Sequence, residues 1–108
     1  MGRKLPVKRV RVPLESVVER ALIGAVARAG GLCEKVTVVG RRGFVDRLVV
    51  LPAHYPHGPR ILFVEVKRPR GGRVSPHQKQ WHAQLKALGV AVAIVRTTGD
   101  VEALMTDS

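Results

Sequence analysis

Apolar residues at positions 14, 17, 18, 21, 22, 25, 26 and 29 recur at the i, i+3, i+4, i+7 spacing of one helix face. This predicts an amphipathic helix from Leu14 to about Ala29, with Pro13 suited to its first turn and Gly30-Gly31 stopping it. Extended segments follow. A short one is expected at Lys35 to Val39, then a turn at Gly40-Arg41-Arg42-Gly43. The nearly continuous apolar run from Phe44 to Leu51, broken only by Asp46 and Arg47, reads as a central strand covered on both faces. A loop from Pro52 to Pro59, carrying His54, Tyr55 and His57, leads into a third strand, Arg60 to Lys67. Connections this short make the three strands an antiparallel meander.

The third strand ends in an acid and a base. With a period of two, Glu65 and Lys67 project from one face and Val66 from the other. Burying such a pair without partners costs several kcal/mol, so the arrangement needs a reason. Arg68 to Val74 is a basic loop. Ser75-Pro76-His77-Gln78 then opens a helix, with Ser75 as N-cap, Pro76 in the first position and Gln78 completing a capping box. That helix is expected to run to Leu88 and stop at Gly89, with Trp81, Leu85 and Leu88 as its inward stripe and Gln78 one turn earlier on the same stripe. An apolar strand, Ala91 to Val95, and a short helix through Met105, capped by Asp100 or Thr98, complete the pattern. The order predicts an α/β fold: an αβββαβ core with a mixed sheet flanked by helices.

Charge changes the picture most. In 108 residues, 19 Lys and Arg stand against 8 Asp and Glu, for a formal charge of +11. Such a field points to a polyanion, nucleic acid before an anionic membrane surface. No apolar run approaches the roughly 20 residues of a spanning helix. Residues 1–12, with Arg3, Lys4, Lys8, Arg9 and Arg11, read as a basic arm that could also hold a short strand through Val7, Val10 and Val12; residues 13–108 read as one domain. The arm lacks the apolar stretch of a signal peptide, and Cys33 alone offers neither an internal disulfide nor a zinc site. A cytoplasmic location follows as the expectation.

If the second and third strands pair, Asp46 meets Glu65 and Lys67 at one end of the sheet. Glu19, or Glu15 one turn before it, could add a carboxylate from the first helix. Carboxylates gathered together repel unless a divalent cation neutralises them, and hard oxygen ligands suit Mg²⁺ or Mn²⁺. Lys67 could position a water and offset developing negative charge. Each residue alone has a structural explanation: Asp46 as a turn cap, Glu65 with Lys67 as an ion pair, Gln78 as a capping-box partner, Glu15 and Glu19 as solvated flank residues. Their occurrence together in so basic a chain favours chemistry.

Asp46 followed by Glu65-Val66-Lys67 resembles the PD-(D/E)xK nuclease superfamily, and more narrowly its VRR-NUC branch, the virus-type replication-repair nuclease domain. The matching pieces are Glu19-Arg20-Ala21-Leu22, Gly30-Gly31, Gly40 to Leu48, Phe63 to Lys67, Val74 to Gln78 and Trp81. Val45 stands where the family usually has proline, a change confined to local backbone rigidity. The resemblance implies a restriction-endonuclease-like fold and metal-dependent phosphodiester hydrolysis. It makes Asp46, Glu65 and the Val66 carbonyl metal ligands, Lys67 the catalytic lysine, and Gln78 an accessory residue of the active site. Glu19 becomes the helix acid that orients water or a hydrated metal, with Glu15 competing for that role.

The resemblance also implies Mg²⁺ as cofactor, with Mn²⁺ substituting. Stand-alone members of the branch, common in phages, resemble Holliday junction resolvases and act as homodimers. A single small domain without an evident recognition helix has little surface for reading sequence. The cations expected to meet DNA are Lys35, Arg41, Arg42, Arg68, Arg70, Arg73 and Lys79, placed for phosphate contact and shape readout. The expectation is a structure-specific DNA endonuclease that resolves four-way junctions, in a bacterial or phage-infected cell. The alternatives are the same chemistry on flaps, nicks or unspecific duplex DNA, and a non-catalytic DNA-binding module that retains the fold.

Overall fold

A computed structural model describes residues 14–56 and 58–107. The basic arm, Pro13 and His57 lie outside the described residues. Helix α1, Leu14–Arg28, is followed by strands β1, Leu32–Lys35, β2, Arg47–Leu51, and β3, Arg60–Val66. Helix α2, Pro76–Ala87, strand β4, Ala91–Val95, and helix α3, Thr98–Asp107, complete the order. The four strands form one mixed sheet in the order β1-β2-β3-β4, antiparallel through β3 and parallel between β3 and β4. The α/β architecture and the αβββαβ order are those expected from the sequence. No helix among the described residues is long and apolar enough to cross a membrane.

The helix periodicity of α1 puts Val18, Leu22 and Val26 onto one face of the sheet, against Val49 and Leu51 of β2 and Leu62, Val64 and Val66 of β3. Val101 and Met105 of α3 join the same core. Burying each such side chain stabilises the fold by about 1.5–3 kcal/mol, so this layer fixes the sheet against α1 and α3. Gly30 (φ +82°) ends α1: its N–H donates to Ala27 O and the Gly31 N–H to Val26 O, both at 2.9 Å. A Cβ on Gly31 would collide with the Val50 carbonyl oxygen, so the chain leaves the helix directly into the sheet.

Three boundaries differ from the sequence expectation. The first strand is Leu32–Lys35 and not Lys35 to Val39, because Leu32 pairs with Val50 and Lys35 with Arg47, which fills the β2 edge. The second strand begins at Arg47; Phe44 and Val45 are apolar because they pack in the approach to it, with Val45 fully buried and Phe44 edge-on to Phe63. Lys67 follows the last residue of β3, its N–H donating to Val95 O at 3.0 Å.

Helix α2 starts as expected, with both bonds of the Ser75–Gln78 capping box formed. Its inward residues are Gln78 and His82, whereas Leu88 is 80% exposed and Trp81 is only half-buried. The inward stripe is polar because it faces Glu65 and not an apolar layer. The last helix is capped by Thr97 and not by Thr98 or Asp100: Thr97 Oγ1 accepts from the Asp100 N–H at 3.0 Å, and Asp100 Oδ2 accepts from the Thr97 N–H at 3.2 Å.

Candidate active site

Strand alternation divides the sheet chemically. Val49, Leu51, Leu62, Val64 and Val66 face α1, so Phe63 and Glu65 face the other side, where α2 lies. The β3 pattern thereby drives Glu65 into the interior, and its side chain is fully buried. The β2–β3 register pairs Arg47 with Val64, which brings Asp46 alongside Glu65. Asp46 Oδ2 accepts the Val66 N–H at 2.9 Å, a bond that closes the end of the strand pair with a side chain where a backbone ladder would otherwise continue.

Four groups converge on the Glu65 carboxyl. Gln78 Nε2 donates to Oε2 at 2.5 Å, and Lys67 Nζ lies 3.5 Å from the same oxygen. His82 Nε2 is 3.5 Å from Oε1. The Asp46 carboxyl stands beside it across the β2–β3 pairing. Burial first, then the neighbouring Asp46 carboxyl, push the Glu65 pKa up to about 8 against the pull of Lys67. Burial first, then Lys86 and Lys67, lowers the His82 pKa against the opposing pull of Asp46. With the acid protonated and the imidazole neutral, the His82–Glu65 contact is not an ion pair.

The structure thus brings together Asp46, Glu65, Lys67 and Gln78. It places Glu19 elsewhere: the Glu19 carboxylate is held by Arg47, at 2.7 Å from Nη2 and 3.1 Å from Nε. Arg47 shares the α1 face with Val49, opposite to Glu65. Glu15 is exposed. His82 is not anticipated by the sequence; its i+4 spacing from Gln78 is the available signal, hidden because a lone histidine on a helix seldom marks anything.

The turn before Asp46 is fastened to α2. Trp81 Nε1 donates to the Arg42 carbonyl at 3.2 Å, the Arg41 guanidinium stacks 4.5 Å from the Trp81 ring centroid, and Phe44 meets the same ring edge-on at 4.5 Å. Gly43 has φ +73°, and a Cβ there would strike His77. Gly43→Ala is expected to cost about 1–3 kcal/mol through backbone strain and collision. Thermal unfolding measures the loss, and the emission of Trp81, the single tryptophan of the chain, reports the displaced turn.

After β3, the basic loop is tied down by Arg96, whose Nη1 donates to Gly72 O at 2.7 Å and Arg68 O at 3.3 Å. Lys35, Arg41, Arg42, Arg68, Arg70, Arg73 and Lys79 are all exposed. They sit on the elements that border the Asp46–Glu65 end of the sheet: the end of β1, the 40–43 turn, the loop after β3 and the first turn of α2. The acid pair is therefore rimmed by exposed cations.

A family model describing the VRR-NUC domain matches residues 19–99, three quarters of the chain. The chain belongs to the VRR-NUC family. It is 40% identical over 86 residues to "Putative nuclease p44" of Acyrthosiphon pisum secondary endosymbiont phage 1, covering 80% of this chain and 86% of that protein. A solved structure described as a VRR_NUC domain superposes with a TM-score of 0.78 at 30% identity, covering 88% of this chain and 97% of the other. This VRR-NUC domain is thus a nuclease domain by family, built on the fold its sequence predicts.

The residues fit a hard divalent cation. Asp46 and Glu65 face each other, Glu65 Oε1 is buried without a hydrogen-bond partner, and the acid retains its proton well above the usual carboxylate range. A dication between them would take the place of that proton. Among the described residues no group of three His, Cys, Asp or Glu side chains is placed to hold a metal ion by itself. Two carboxylates offer hard oxygen ligands of the kind that suit a divalent cation able to complete its shell with water.

Proposed function

We propose that this VRR-NUC domain is a divalent-metal-dependent endodeoxyribonuclease that hydrolyses phosphodiester bonds in branched DNA. The observation that carries the reading is the buried Glu65 carboxyl, held by Gln78 and set between the carboxylate of Asp46 and the ammonium of Lys67. Asp46, Glu65 and the Val66 carbonyl are the proposed ligands of Mg²⁺, with Mn²⁺ substituting. The cation supplies Lewis-acid polarisation of the phosphoryl oxygen and a more acidic bound water. Lys67 orients the attacking water and offsets negative charge as it develops on phosphorus-bound oxygen. Gln78 fixes the Glu65 rotamer. For Glu19 to orient water or a hydrated metal, its carboxylate must exchange the Arg47 guanidinium for that ligand when DNA and metal bind.

The exposed cations around the site suit phosphate contact more than base reading, because they lie on loops and at the ends of a strand and a helix. A homodimer would bring two such sites to the two opposed strands of a four-way junction, which is the proposed substrate. The setting proposed is the cytoplasm of a bacterial or phage-infected cell, with residues 13–108 as the nuclease domain and the basic arm as an additional phosphate contact. Cleavage of a four-way junction compared with linear, nicked and flapped duplexes tests the substrate. Faster cutting of the junction is expected, and equal rates on all four would sink the junction reading while leaving the nuclease reading intact. Binding is expected to weaken steeply as salt rises, with log K linear in log salt; a flat response would rule out a phosphate-dominated interface.

A further inference from the structure

Glu65 is not symmetrically satisfied. Its Oε2 accepts from Gln78 and lies near Lys67, while its Oε1 has no hydrogen-bond partner. Across from it, His82 Nε2 is also buried without a partner, 3.5 Å away. Two orphaned polar groups each cost about 1–3 kcal/mol of desolvation, yet they face each other just beyond hydrogen-bond length, so a small rotation of the carboxyl would satisfy both. His82 is one helical turn from Gln78, so the two side chains reach the two oxygens of one carboxyl from a single face of α2. A leucine at this position would fill the interior without any polar cost. For the imidazole Nε2, the group within reach is Glu65.

We propose that His82 is a positioning residue: through Nε2 it holds Glu65 Oε1 and, together with Gln78, fixes the orientation in which Glu65 meets a divalent cation. The inference rests on the metal-site reading above. It assigns the metal affinity of Glu65 in part to α2, a helix that contributes no carboxylate. Outer partners of this kind commonly govern metal affinity by about 10–100-fold.

The test is Mn²⁺ binding to the protein without DNA, followed by the EPR signal of the free ion. His82→Leu is expected to raise the Mn²⁺ Kd by about tenfold or more. His82→Asn, polar but too short to reach Oε1, should weaken binding similarly. His82→Gln, whose amide nitrogen can stand close to the Nε2 position, should recover most of the affinity. DNA binding in EDTA should be the same for all three. Wild-type Mn²⁺ affinity in His82→Asn or His82→Leu would overturn the proposal, as would His82→Gln binding no better than His82→Asn with both folded. Should His82→Leu not fold, the Asn–Gln comparison decides alone. A nitrogen coupling in the bound Mn²⁺ spectrum that disappears with His82 would also overturn it, by making the imidazole a direct ligand. Glu65→Gln is the control: if it too binds Mn²⁺ like the wild type, the metal-site reading itself fails, whereas loss in Glu65→Gln alone removes only the role of His82.

Discussion

Replacing Lys67 with alanine is expected to slow metal-dependent DNA cleavage by about 100- to 1,000-fold, the usual cost of losing one group that stabilises developing charge at a reacting centre. The ammonium is mostly shielded from solvent and sits 3.5 Å from the buried Glu65 carboxyl. Its charge therefore acts with little screening, unlike that of the exposed arginines around it. Because it faces inward, DNA binding in EDTA should stay close to wild type while turnover collapses. Asp46→Asn and Glu65→Gln should match or exceed the loss, since each weakens the proposed cation site without removing side-chain volume. Rates measured on one labelled substrate, with binding measured in parallel, separate the two effects. If Lys67→Ala cuts as fast as the wild type, the domain binds DNA without cutting it through this centre.

The second large effect concerns stability in the absence of metal. Glu65 titrates near pH 4.5 in an unfolded chain and at about 8 in the fold. Between those values the folded protein holds a proton that the unfolded chain releases. The stability this provides is fully present below about pH 4.5 and is lost as pH rises through about 8, where the buried carboxylate must ionise beside Asp46. The swing is on the order of a few kcal/mol. His82 works in the opposite sense, because its lowered pKa lets the fold gain stability as pH rises toward the ordinary histidine value of 6.5, with no further gain above it. The difference between wild type and Glu65→Gln isolates the acid. In EDTA, the two should unfold at similar temperatures near pH 5, with the variant increasingly the more stable toward pH 8.5. Mg²⁺ should narrow that gap by favouring the ionised wild-type acid. A gap that is constant across pH would show that Glu65 carries no unusual proton.

Helix α1, strand β3 and the start of α2 are legible in the sequence because each carries both a residue pattern and a boundary signal: Gly30-Gly31, the charged end at Glu65 and Lys67, and Ser75 with Gln78. Strand β4 is legible from its apolar run alone. Strand β1 is not, because Val36, Val38 and Val39 have stronger strand character than Leu32 to Lys35. Pairing decides against propensity, since the register starting at Leu32 and Val50 follows from where α1 delivers the chain. Phe44 and Val45 look like strand residues because burial in the approach to β2, with Phe44 against Phe63 and Trp81, leaves the same apolar trace as burial within a strand. The meeting of Asp46 with Glu65 follows from simple strand pairing. The place of Glu19 does not, because Arg47 claims its carboxylate on the opposite face of the sheet, and no spacing in the sequence signals that preference. The stripe of α2 is hidden for a related reason. Hydrophobic periodicity finds a buried helix face only when the neighbour is apolar, and here the neighbour is an acid.

Gln78 carries two tasks on one amide. Its Oε1 accepts the Ser75 N–H at 3.0 Å, which closes the helix start, while its Nε2 donates to Glu65. Glutamate would close a capping box equally well, but at this position it would set a third carboxyl against Asp46 and Glu65 where a donor is needed. The alphabet at residue 78 is thereby narrowed from two members to one. An ordinary folding signal has become a record of the chemistry beside it, and a helix begun correctly is a carboxylate already in place.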